Sequence, residues 1–141
     1  MKKVTIIDYG TSNLKSINAA FNYLGYSTLI TNEKKKIINS DLLVLPGVGS
    51  FPVVMQYLTK KNLDISIKDY IDTNKPFLGI CLGMQVLFEY SYEFKKTKGL
   101  GILKGNVNHL MDKNRKKKLM VPNTGWIPLK ENKIFSQKNL I

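Results

Sequence analysis

The apolar positions of this chain fall into short runs that alternate with stretches of helical period. Val4-Thr5-Ile6-Ile7-Asp8 is a β-branched run that predicts a central strand. After the loop Tyr9-Gly10-Thr11-Ser12-Asn13, Leu14, Ile17, Ala20, Phe21 and Leu24 keep a helical period, with Ser12 or Asn13 available as cap and Gly25 as stop. Ser27 to Thr31 reads as a second strand, and Lys34 to Ser40 as a polar connection or short helix. Leu42-Leu43-Val44-Leu45 is continuously apolar, as expected of a parallel-sheet strand covered on both faces. A further helical segment begins at Phe51, and Asn62 to Asn74 reads as a helix on Leu63, Ile67 and Ile71. Phe77 to Ile80 is a short buried strand, and Leu82 to Tyr90 carries a helical pattern with Leu82, Val86, Leu87 and Tyr90 near one face.

Beyond that helix, ending near Tyr92, the pieces shorten. Gly99 to Val107 predicts a turn followed by a strand, Leu119-Met120-Val121 another strand, and Asp112 to Lys118 an exposed hairpin tip between them. Pro122 to Trp126 is a turn that presents the single tryptophan as a core anchor or an interface residue. The regular alternation of strand and helix up to Ile80 predicts a doubly wound α/β fold around a mostly parallel sheet.

Composition narrows the class. At 141 residues, with 43% hydrophobic and 23% charged positions, the chain has room for one domain with a real core. One cysteine excludes an internal disulfide and one histidine argues against a zinc cluster, so no metal is expected and a reducing cytoplasm is the natural compartment. The N-terminus enters a strand pattern without a secretory apolar region, and no apolar run is long enough to cross a bilayer, so no membrane association is expected. A net charge of +12 raises the question of nucleic acid. The positive charge, however, is almost all lysine, with Arg115 the only arginine, and no aromatics are grouped with it. Nucleic-acid readers favour arginine forks and exposed aromatics, so the charge reads as a solvated surface without a nucleic-acid partner.

Candidate chemistry centres on Pro76-Phe77-Leu78-Gly79-Ile80-Cys81-Leu82-Gly83-Met84-Gln85. The only cysteine lies in the turn between a strand and a helix. A chain that reverses so sharply needs small residues beside the turn, which Gly79 and Gly83 supply; this is the pattern of a nucleophile elbow. The start of a helix next to the sulfur makes it a better nucleophile, and the N–H of Leu82 points toward an oxyanion formed by attack on a carbonyl. The competing reading of Cys81 is a small buried hydrophobe. Pro46-Gly47-Val48-Gly49-Ser50, at the carboxyl end of a strand, either brings backbone N–H groups to a ligand or is an ordinary turn.

Five motifs in order carry a resemblance: Asp8 to Leu14, Pro46-Gly47-Val48-Gly49, Gly79 to Gln85, Gly99-Leu100-Gly101 and Pro122-Asn123-Thr124-Gly125-Trp126. From Lys3 to about Leu129 the chain resembles the class I glutamine amidotransferases, and within them the glutaminase subunits of imidazole glycerol phosphate synthases. The resemblance implies the flavodoxin-like α/β fold of that class, without a cofactor. It implies that Cys81 attacks the glutamine carboxamide to give a thioester and ammonia. Backbone N–H groups of Gly47, Val48 and Gly49, with that of Leu82, would hold the oxyanion, the glycine strand turning to complete the hole. Gln85 and Glu93 would hold the glutamine, Glu93 through the substrate's amino group; on residue type alone either is equally a solvated position. Ammonia would pass to a cyclase-barrel partner in a heterodimer, with Asn13 and Trp126 near that partner.

The chain departs from the family pattern twice. Asn123 follows Pro122 where the family usually has histidine, which would also suit a relative serving amidino-sugar synthesis for surface polysaccharides. The family's histidine and glutamate lie well beyond the tryptophan turn, in chains of roughly 200 residues; residues 1–141 are therefore expected to form a single amidotransferase domain incomplete at its C-terminus. The sole histidine, His109, falls outside the family's catalytic positions and reads as structural or surface. Two other readings stand beside a working glutaminase: an inactive docking subunit, and another cysteine hydrolase of related fold, against which Met84-Gln85 and the glycine loop count.

Overall fold

The computed structural model describes residues 3–10, 12–110, 125, 126 and 128. Four parallel strands, β1 (Lys3–Ile7), β2 (Ser27–Thr31), β3 (Leu42–Leu45) and β4 (Phe77–Gly79), form a sheet in the order β2-β1-β3-β4. The order reverses between β1 and β3, so their carboxyl ends flank a switch point, where open α/β sheets bind ligands. Register follows the apolar runs, with Ile6 opposite both Ile30 and Val44, and Leu45 opposite Gly79.

Side chains of successive strand residues leave the sheet on opposite faces. Ile7, Leu43, Leu45 and Phe77 join the larger core, which is covered by α2 (Lys34–Ile38), α3 (Phe51–Lys60) and α4 (Leu63–Ile71) through Ile37, Val54, Leu58 and Ile67. Val4, Ile6 and Val44 face the other way, against Leu14, Ile17 and Phe21 of α1 (Leu14–Tyr23), a helix with no fully buried residue. The carboxamide of Asn13 accepts from the Ser16 N–H and so caps α1, choosing between the two candidate caps. At its other end the Tyr26 and Gly25 N–H groups donate to the Phe21 and Asn22 carbonyls, while the Phe21 and Tyr26 rings meet edge to face at 6.0 Å. This is a Schellman stop with its apolar contact.

The fully buried Tyr70 donates its hydroxyl to the Pro76 carbonyl at 2.9 Å, fastening α4 to the entry of β4. Burial pushes its phenol above the ordinary value, so it remains a donor across the neutral range.

The helix expected over Leu82 to Tyr90 is corrected. After α5 (Leu82–Gln85), a single turn, the chain extends as β5 (Phe88–Ser91). The carbonyls of Val86, Leu87, Phe88 and Glu89 accept from the N–H groups of Leu100, Ile102 with Leu103, Gly101 and Gly99. Those carbonyls are thus unavailable for a longer helix, and a tertiary pairing overrides a local period. β6 (Thr97–Lys98) runs antiparallel to β5 and β7 (Leu103–Val107) parallel to it, giving a second sheet in the order β6-β5-β7. The strand anticipated after Gly99 is therefore present as β7. The hairpin tip, the strand at Leu119 to Val121 and Asn123 lie outside the described residues.

Candidate functional site: an exposed cysteine against a glycine loop

The site is assembled from the segments that leave β1, β3 and β4. Cys81 is exposed and holds φ +56° and ψ −118°, the backbone of the first central residue of a type II′ turn. The turn is closed by the Gly83 N–H donating to the Ile80 carbonyl at 2.9 Å, and the Cys81 carbonyl then accepts the first bonds of α5 from Met84 and Gln85. A side-chain-bearing residue at such a φ stores backbone strain, which is characteristic of sites that must present one atom in one direction. The alternative reading of Cys81 as a packed hydrophobe is thereby excluded.

The glycine loop is pressed backbone to backbone against this elbow. A Cβ on Gly83 would overlap the Leu45 carbonyl, and one on Gly47 would overlap the Gly83 nitrogen and the Leu82 side chain. One on Gly79 would approach the Met84 Cα to 2.8 Å. Only bare peptide fits between the end of β3 and the turn that carries the sulfur. Val48 is half exposed, and Gly49 takes φ +99°. Among the described residues the N–H groups of Val48, Gly49 and Leu82 have no protein acceptor. An exposed thiol and several unspent N–H donors therefore lie on adjoining turns, the parts from which an acyl-transfer site is built.

Other predicted residues are distributed as follows. Gln85 is half-buried at the end of α5. Glu93, just after β5, is exposed, and its Oε2 accepts from the Phe51 N–H at 2.7 Å, at the first residue of α3. Asn13 spends its side chain on the α1 cap, and Trp126 is fully exposed and is no core anchor among the described residues. His109 is exposed after β7. No cluster of His, Cys, Asp or Glu suited to a metal occurs among the described residues, and no described helix is long and apolar enough to cross a membrane.

Sequence reasoning missed Tyr9. It is fully buried, and its hydroxyl donates to the Pro46 carbonyl at 3.0 Å, fixing the entry of the glycine loop to the end of β1. Its one local signal is an aromatic residue with a polar tip directly after a buried strand.

The sequence model of the family described as "Glutamine amidotransferase class-I" matches residues 5–138. The chain belongs to the class I glutamine amidotransferases. Among relatives of this amidotransferase chain, the protein named "Imidazole glycerol phosphate synthase subunit HisH" of Caldanaerobacter subterraneus subsp. tengcongensis is 49% identical over 123 residues, covering 87% of this chain and 58% of its own. The proteins of the same name from Lactococcus lactis subsp. lactis and Bacillus cereus are 48% and 42% identical, over 89% and 94% of this chain and 60% and 61% of theirs. The amidotransferase chain thus spans about three fifths of the length of the curated relatives it matches. A crystal structure described as a candidate peptidase E protein from Listeria monocytogenes EGD-e superposes with a TM-score of 0.60 at 16% identity, over 72% of this chain and 63% of that one, and attests the shared fold.

Proposed function

We propose that this chain belongs to the glutaminase subunit of an imidazole glycerol phosphate synthase and that Cys81 is its nucleophile. The observation that carries the reading is the exposed Cys81 at a strained φ, with the Gly47 peptide packed against its turn. The sulfur adds to the carboxamide carbon of glutamine, forming a C–S bond and an oxyanion that the N–H groups of Val48, Gly49 and Leu82 receive. Collapse breaks the C–N bond, the thiol proton leaves with ammonia, and water then releases glutamate and restores the thiol. Gln85 and Glu93 hold the amino-acid end of the substrate.

Ammonia passes to a cyclase-barrel partner, which uses it to form imidazole glycerol phosphate and an aminoimidazole carboxamide ribonucleotide. Asn13 and the exposed Trp126 lie toward that partner in this cytoplasmic heterodimer. The relatives at 40–49% identity carry the name of the histidine-pathway subunit, which favours this assignment over amidino-sugar synthesis. The histidine and glutamate that the resemblance implies would lie beyond the tryptophan turn, and residues 1–141 belong to a single amidotransferase domain.

Treatment with diazo-oxo-norleucine tests the nucleophile without requiring turnover. Wild-type chain is expected to gain one adduct on Cys81, whereas Cys81→Ala gains none and retains the wild-type unfolding midpoint. Glutamine hydrolysis, measured with the cyclase partner present, should fall to background in the same variant. An adduct elsewhere, or undiminished hydrolysis by Cys81→Ala, would refute the assignment.

A further inference from the structure

The glycine loop is bracketed by two side chains from distant parts of the chain. At its entry Tyr9 donates to the Pro46 carbonyl. At its exit the N–H of Phe51 donates to Glu93 Oε2 at 2.7 Å, across 42 residues of sequence. Helix starts are ordinarily closed by the residue just before them. Ser50 stands there in extended backbone, yet its side chain makes no capping bond, and Pro52 has no N–H to satisfy. The cap of α3 has been handed to a carboxylate just beyond β5 of the second sheet.

That carboxylate is held by a device of its own. The buried Ser91 accepts the Glu93 N–H on its Oγ, and the Lys95 N–H donates to the Glu93 carbonyl at 2.7 Å. The bond from Lys95 closes a three-residue turn with Phe94 at φ +59°, the rarer and more strained form of the γ-turn. Cys81 and Phe94 are the only described residues other than asparagine and glycine with positive φ. The Phe94 ring is 86% exposed, so packing of that ring does not account for the strained backbone. The turn follows directly on Glu93, whose main-chain N–H and carbonyl are both bonded.

We propose that Glu93 is a positioning residue of the glycine loop: one carboxylate oxygen anchors the peptide at which the loop enters α3, while the other remains open to the amino group of a bound amino acid. Among the described residues Oε1 has no partner. A cation arriving there draws on the same carboxylate that fixes the loop, so occupancy of the amino-acid site and the setting of the Gly47 to Gly49 peptides are coupled through Glu93. The inference rests on the reading of this loop as the oxyanion strand, and goes beyond the substrate-holding role the family resemblance implies.

Amide hydrogen exchange in the full chain provides the test, and it requires no turnover. In Glu93→Ala the Phe51 amide is expected to exchange about tenfold faster than in wild type, because a charge-assisted bond is lost, while amides of β1 and β3 keep their rates. In Glu93→Gln, where a carbonyl oxygen can still accept from Phe51, exchange should return toward wild type. Kinetics with the partner present supply the second arm: Glu93→Ala should depress hydrolysis of glutaric acid monoamide, which has no amino group, as well as that of glutamine. Unchanged Phe51 exchange in Glu93→Ala, an equal rise throughout β1 and β3, or a loss confined to glutamine would each overturn the proposal. Because the exchange arm is independent of catalysis, failure of the glutaminase assignment leaves a distinct signature from failure of the clamp.

Discussion

Among the described residues two corners, at Cys81 and Phe94, hold a residue other than asparagine and glycine at positive φ, and they are secured in opposite ways. At Cys81 the backbone is locked by peptides that touch: Gly83 lies against the Leu45 carbonyl, Gly47 against Gly83, and Gly79 against Met84. At Phe94 the backbone is held by a few hydrogen bonds, to Ser91 Oγ, to the Glu93 carbonyl and from Phe51 to the Glu93 carboxylate, with the ring in solvent. Close packing resists displacement in every direction, whereas a hydrogen bond to an exposed carboxylate can be exchanged for another partner at small cost. Cys81 thus has the immovable corner. Glu93, bonded to the start of α3, has the adjustable one.

The largest effect is expected at the interlock of glycines around Cys81. Gly83→Val inserts side-chain atoms where the Leu45 carbonyl already lies, and a rigid corner can respond only by separating β3 from the elbow. A loss of at least about 3 kcal/mol is expected in urea unfolding, with diazo-oxo-norleucine labelling abolished. A fully folded, label-competent variant would show that the corner yields.

Tyr9→Phe probes the other anchor of the loop. It leaves the buried ring in place and removes the donor to Pro46, so about 1–2 kcal/mol of stability should be lost and exchange at Val48 and Gly49 should quicken. Loss of stability without faster exchange would mean that the hydroxyl supports the core but does not position the loop.

The smallest effect is expected at the exposed turn. Phe94→Gly relieves positive φ while sacrificing little packing, and a gain of a few tenths up to about 1 kcal/mol in unfolding free energy should result. Destabilisation instead would mean that the ring, not the backbone, holds Glu93 in place.

Much of the architecture is legible in the order of residues because short-range period carries it. β1, β3 and β4 are apolar runs, α1, α3 and α4 are helical periods, and Asn13 and Gly25 mark the two ends of α1 through bonds that reach only a few residues. The elbow is legible for the same reason, since Gly79, Cys81 and Gly83 lie within one turn of one another. The stretch from Leu82 to Tyr90 misleads because its apolar spacing satisfies a helix as well as the turn and strand it forms. Only the donors between Gly99 and Leu103 decide the matter.

The sequence by itself determined a parallel α/β sheet, a cysteine between glycines at a strand's end, and a glycine loop at the end of another strand. Each depends on neighbours a few positions apart, and local sterics suffice to specify them. The tertiary structure decided that the loop meets the elbow, that Tyr9 and Glu93 hold its two ends, and that the chain after Gln85 extends. Those contacts span tens of residues, and they exist only once strand order brings the carboxyl ends of β1, β3 and β4 to one edge of the sheet.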